Sequence, residues 1–142
     1  MKLLLDTHIW LWSLHDPRRL GKRVQHELKD PANERWLSPI STWEALALNA
    51  KNRIRLPVDL DEWVARATAP FREAPLTHEI ALAARQLSLP HQDPADRFLA
   101  ATAQVLDLTL VTGDAALLGL GAGLTVSHIP IASQPALEPN DQ

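Results

Sequence analysis

The sequence predicts an α/β fold, a sandwich of helices around a parallel sheet. Short apolar runs alternate with longer helical stretches along the chain, and an acidic residue stands directly at the end of two of those runs. The length of 142 residues suits one domain with a sizeable core.

The elements follow in order. Lys2–Leu5 is an apolar strand ended by Asp6, and residues 8–14 are apolar on most sides and helical until Pro17 interrupts. Residues 21–30 place Val24 and Leu28 four apart among charges, the pattern of a surface helix ending before Pro31. Residues 35–37 read as a second strand. Ser38-Pro39 opens a helix reaching about position 52, in which Trp43, Ala47, Leu46 and Ala50 supply the spacing. After Pro57 a helix over 59–69 carries Leu60, Trp63, Val64 and Ala67 on one face. A short extended piece is expected over 71–76, then a helix capped by Thr77 with Ile80, Ala83, Ala84 and Leu87. Asp93 as N-cap and Pro94 at the first helical position open the next helix, with Phe98, Leu99, Thr102, Ala103 and Leu106 as its buried stripe. Thr109–Val111 is a strand ended by Thr112-Gly113-Asp114, and 124–127 is a last strand. The foldable domain is read as residues 1–128, and residues 129–142, with Pro130, Pro135 and Pro139, as a flexible tail.

Composition narrows the chemistry. The absence of cysteine excludes a disulfide scaffold and any thiolate metal site. Lys2 and three leucines imitate a signal peptide, but Asp6 and His8 interrupt the run too early, and no small-residue cleavage site follows. No stretch approaches the ~20 apolar residues of a membrane span, so the chain reads as a cytoplasmic protein. A net charge of −3 means that any contact with nucleic acid must be local. Two basic clusters exist, Arg18, Arg19, Lys22 and Arg23, and Lys51, Arg53 and Arg55; each reads first as a solvated helix end.

The informative feature is where the carboxylates fall. Sites in open parallel sheets form outside the carboxyl ends of strands. Asp6 and Asp114 follow strands; Glu44 and Asp96 lie near the starts of helices that return to the same edge. Four acids from four distant segments are thus expected to converge. Their mutual repulsion is relieved by a divalent cation, and all-oxygen ligands suit Mg²⁺ or Mn²⁺ rather than zinc. Such a site hydrolyses phosphodiesters by activating water and stabilising the leaving 3′-oxygen. Taken singly, each acid reads as a helix cap or a surface charge.

Four segments carry a resemblance: LLLDTHIWLW at 3–12, STWEALAL at 41–48, HQDPADRFLAATA at 91–103 and LVTGDAAL at 110–117. In order and spacing they resemble PIN domains, and more narrowly the VapC toxins of type II toxin–antitoxin systems, over about residues 1 to 128. The Asp-Thr-His opening and the His-x-Asp-Pro-x-Asp-Arg block are the specific parts. The resemblance implies a PIN-like α/β/α sandwich with a short central parallel sheet. It also implies a Mg²⁺- or Mn²⁺-dependent endoribonuclease acting on RNA, a VapB-like antitoxin as partner, and a homodimer. It carries catalytic and metal-ligand roles to Asp6, Glu44, Asp96 and Asp114. Thr112 matches a hydroxyl that helps hold the metal site, and Asp93 an extra acid of the subgroup, read equally as a cap and as support behind the ligands. Two features depart from the family pattern: the glycine-rich LLGLGAGL after Asp114, and the Pro-containing tail.

Other features are set aside. His8, His15, His26, His78, His91 and His128 contain no pair at short ligand spacing, which speaks against zinc. His91 is read as a loop-packing residue, with contact to substrate phosphate as the other role. Gly119, Gly121 and Gly123 imitate a phosphate loop without its strand or lysine. Trp10 and Trp12, two apart on one helix, are expected not to share a core, so that one meets a partner chain. Arg97 is read either as neutralising phosphate or as pairing with an acid. A haloacid-dehalogenase-type phosphotransferase needs a second aspartate two residues after the first, and position 8 is His. The other class kept in view is a PIN-like RNA- or protein-binding module without turnover.

Overall fold

Three consecutive leucines make the central strand, because a parallel strand covered on both faces has no side left for polar residues. The computed structural model describes residues 1–88 and 93–113. Within them the order is β1 (Lys2–Leu5), α1 (Thr7–His15), a 3-10 turn (Pro17–Arg19), α2 (Lys22–Lys29), β2 (Glu34–Leu37), α3 (Pro39–Ala50), α4 (Leu60–Thr68), β3 (Arg72–Glu73), α5 (His78–Gln86), α6 (Pro94–Leu106) and β4 (Thr109–Val111). The strands pair in parallel in the order β3-β2-β1-β4. Alternation along β1 divides the core into two layers. Leu3 and Leu5 pack with Trp10, Val24, Ala45 and Trp63 on one face, and Leu4 packs with Leu99, Ala100 and Ala103 of α6 on the other. Ile80, Ala84 and Ala101 fasten α5 to α6. This is the expected α/β/α sandwich. Among the described residues no helix is long and apolar enough to cross a membrane.

Helix starts follow local chemistry. Ser38, Asp59, Thr77 and Asp93 each accept a hydrogen bond from a backbone N–H of the first turn, at 3.1, 3.0, 3.2 and 3.0 Å. These bonds satisfy donors that the helix itself leaves unpaired. Pro39 and Pro94 occupy the first helical position, where no donor is needed. Helix α6 stops because Asp107 takes a left-handed conformation (φ 56°), which a short polar side chain tolerates, and β4 begins two residues later.

The sequence expectation about Trp10 and Trp12 needs correction. Trp10 and Trp12 are both buried within the chain, 0% and 3% exposed, so neither is left for a partner. Helix α1 is enclosed almost all round. Trp10 packs on Trp63 of α4 with ring centroids 5.5 Å apart and reaches Ala67 O through Nε1, while Trp12 lies beneath the Arg19 guanidinium, 4.8 Å from its ring centre. For helix α3 the apolar spacing had left the inward face open, and the structure decides it. Ser41 and Ala45 are its buried residues and Trp43 is 63% exposed, since small side chains let α3 approach α1 and α6 closely. Stripping the Trp10 indole should show its weight: Trp10→Ala is expected to cost about 3–5 kcal/mol in urea denaturation, and Trp10→Phe clearly less. Wild-type stability in the alanine variant would mean that the core closes without the ring.

The expected strand at 124–127, the tail from 129 to 142, the three glycines, His91, His128 and Asp114 lie outside the described residues.

Candidate active site

The strand order creates the site. From β1 the chain moves outward to β2 and β3, then returns to place β4 on the other side of β1. The direction reverses at the carboxyl ends of β1 and β4, the place where open parallel sheets form a ligand crevice. Leu5 is in register with Val111, and the Asp6 N–H continues the ladder to Val111 O at 3.0 Å. Asp6 and Thr112 are thereby adjacent although 106 residues apart, and Thr112 Oγ1 donates to Asp6 Oδ2 at 2.6 Å. Asp6 occupies the N-cap position of α1, yet its carboxylate caps nothing there. The other acids at helix starts, Asp59 and Asp93, do cap. Asp6 is thus presented to the crevice in a place where a capping role would be the ordinary one.

Glu44 reaches the same crevice from α3 and is held by a short chain of hydroxyls. Thr7, the first residue of α1, lies 2.9 Å from Ser41 Oγ and also hydrogen bonds Glu44 Oε1. A threonine has one hydroxyl hydrogen. An ionised carboxylate only accepts, so Thr7 donates to Glu44 and Ser41 donates to Thr7. Both hydroxyl residues are buried. The sequence reading passed over this wiring. Its signals were Thr7 directly after Asp6 and Ser41 three residues before Glu44, one helical turn away.

The electrostatics match the geometry. Burial pushes the Glu44 carboxyl above its ordinary range, the Thr7 hydrogen bond works against that, and the charges of Asp6 and Asp93 push it further up. Asp93 therefore serves two ends, capping α6 through Oδ1 and adding negative charge near Glu44. Asp96 stands half-buried in the first turn of the same helix. Among the described residues no three acids or histidines are close enough together to hold a metal ion as they stand. The donors gathered here are oxygens, and Glu44, desolvated between two other acids, is in a position that a cation would relieve. In donor chemistry the residues fit a hard divalent ion.

Arg18, Lys22, Arg23, Lys51, Arg53 and Arg55 are exposed, as solvated helix ends would be.

A family model described as "PIN domain" matches residues 3–121 of the chain. No curated protein sequence matches it. Among solved structures, the chain is similar to one described as VapBC2 from Rickettsia felis bound to a DNA fragment from their promoter. The TM-score is 0.69 and the identity 14%, covering 89% of this chain and 98% of that one. A toxin–antitoxin complex from Klebsiella pneumoniae gives 0.63 and 20%, covering 90% and 98%. VapBC-1 from nontypeable Haemophilus influenzae gives 0.64 and 15%, covering 89% and 97%. At these identities the likeness is one of fold.

Proposed function

This chain belongs to the PIN-domain family, and on that premise we propose that it is a metal-dependent endoribonuclease, the toxin of a VapBC-like toxin–antitoxin pair. The observation that carries the reading is the placing of Asp6 and Glu44 at the strand-order reversal, each oriented by a buried threonine hydroxyl rather than spent on a helix cap. Solved structures of similar fold that are toxin–antitoxin complexes support an antitoxin as partner.

In this reading Asp6, Glu44, Asp96 and Asp114 would hold Mg²⁺ or Mn²⁺. When bound, such an ion would supply the acidity that lets a water attack and the positive charge that offsets a leaving 3′-oxygen. The chain's own residues do the rest. Thr112 fixes the rotamer of Asp6, and Thr7, itself served by Ser41, turns Glu44 Oε1 toward α1. Glu44 releases its proton more reluctantly than an ordinary carboxylate, so cation binding at this position strengthens as pH rises. The N-terminus of α6, capped by Asp93, directs its dipole toward the anionic groups at the crevice.

The test is an RNA-cleavage assay on purified protein with Mn²⁺ or Mg²⁺ and with EDTA, beside a melting curve with and without Mn²⁺. Metal-dependent cleavage and a raised Tm with Mn²⁺ are expected, because an ion that binds only the folded state stabilises it. Loss of both would remove the reading. Its rival, a PIN-like binding module without turnover, draws on the lack of a ready three-acid group among the described residues; it predicts RNA or protein binding with no cleavage. Thr112→Val keeps the side-chain shape and deletes the hydroxyl that donates to Asp6. Cleavage is expected to fall about 10–100-fold with it, the range found for partners that orient metal ligands, and an unchanged rate would deny Thr112 that role.

A further inference from the structure

Arg97 directly follows Asp96, where a guanidinium would be well placed to meet either substrate phosphate or a neighbouring acid. The structure uses it otherwise. Nε donates to Ala84 O at 3.1 Å, and Nη2 donates to Leu87 O at 2.7 Å and Arg85 O at 3.4 Å. These are carbonyls at the C-terminal end of α5, which the helix leaves without partners of its own and where its dipole favours a cation. Three carbonyls within four residues, met by two nitrogens of one planar fork, make a directed clamp.

The other half of the clamp is the main chain of Arg97. Its N–H bonds Asp93 O at 3.2 Å and so closes the first turn of α6. That turn bears Asp93, whose charge reaches Glu44, and Asp96. One residue thus grips the end of α5 by its side chain and the acid-bearing turn by its backbone. The two helices are already packed through Ile80, Ala84 and Ala101, about one turn further along α6. Packing there sets the spacing of the helices, whereas rotation of the first turn about the helix axis is what the fork resists.

We propose that Arg97 is a positioning residue for the metal-binding Asp96 of α6, acting by locking the first turn of that helix to the α5 C-terminus and not by contacting RNA. The inference rests on the nuclease reading above. Its test compares wild type, Arg97→Gln, Arg97→Lys and Ile54→Ala, the last a buried residue in the opposite layer, as a control for general destabilisation. Mn²⁺ binding is read from the loss of the free-ion electron paramagnetic resonance signal, and kcat and KM for RNA from cleavage at saturating Mn²⁺. Arg97→Gln is expected to weaken Mn²⁺ binding roughly tenfold or more with KM unchanged. Arg97→Lys should recover part of the loss, since an ammonium serves fewer carbonyls than the fork. Ile54→Ala should melt earlier but bind Mn²⁺ as wild type does. A rise in KM with Mn²⁺ affinity intact would overturn the proposal in favour of phosphate contact. An equal loss of affinity in Ile54→Ala would overturn it in favour of general loosening. If Arg97→Gln does not fold, wild-type Mn²⁺ affinity in Arg97→Lys together with a lowered Tm would count against it in the same way. Wild-type protein that neither binds Mn²⁺ nor cleaves RNA would instead bring down the nuclease reading itself.

Discussion

Asp6→Asn is expected to lower RNA cleavage by more than the ~100-fold that marks the upper end for residues merely orienting a metal ligand, with little change in melting temperature. The substitution removes one negative charge and keeps the size and shape of the side chain. The Asp6 N–H to Val111 O bond belongs to the main chain, and so does the Asp6 O to Trp10 N–H bond that starts α1. The carboxylate caps no helix, so α1 loses no cap. The amide oxygen of asparagine still accepts from the Thr112 hydroxyl. A protein that folds normally, binds Mn²⁺ weakly and does not cleave would place the role in the charge. Cleavage at the wild-type rate under saturating Mn²⁺ would take Asp6 out of the chemistry.

Glu44→Gln is expected to move activity and stability in opposite directions. Cleavage should fall to a similar degree, for the same loss of an anionic ligand. Stability without metal should rise at neutral pH. In the folded chain the Glu44 carboxyl is held above its ordinary value of 4.5, chiefly by burial and then by Asp6 and Asp93, against the pull of the Thr7 hydrogen bond. Between the unfolded and folded values the native state therefore binds more protons than the unfolded chain. The contribution is fully present below about pH 4.5 and is lost as pH rises through the folded value. Glutamine keeps an oxygen for Thr7 and carries no charge, so it escapes that loss. The metal-free variant should melt above wild type at pH 8, with the gap closing by pH 4, and Mn²⁺ should raise its Tm less than it raises that of wild type. Equal melting temperatures across the pH range would show that Glu44 carries no such electrostatic penalty. The expected pattern is the stability–activity trade-off of a binding site kept unfavourable until its ligand arrives.

Local features were legible in the residues because their causes lie a few positions away. The leucines of β1, the caps at Thr77 and Asp93, and the prolines that open α3 and α6 each act on the turn they stand in. The periodicity of α3 marked a helix but not its inward face, because both sides of it carry apolar residues; packing chose Ser41 and Ala45 and left Trp43 outside. The same limit applied to Trp10 and Trp12, whose common burial depends on how many neighbours surround α1.

By itself, then, the sequence determined the alternation of strands and helices, where most helices begin, and which acids stand at strand ends and helix starts. Only the tertiary structure decided that β4 lies beside β1, and with it that Thr112 reaches Asp6. It also decided that Ser41 and Thr7 steer Glu44, and that the Arg97 fork serves α5. Strand order, hydroxyl wiring and the Arg97 fork join residues from 10 to 106 positions apart, and their energies exist only once the layers have closed, so no local pattern records them.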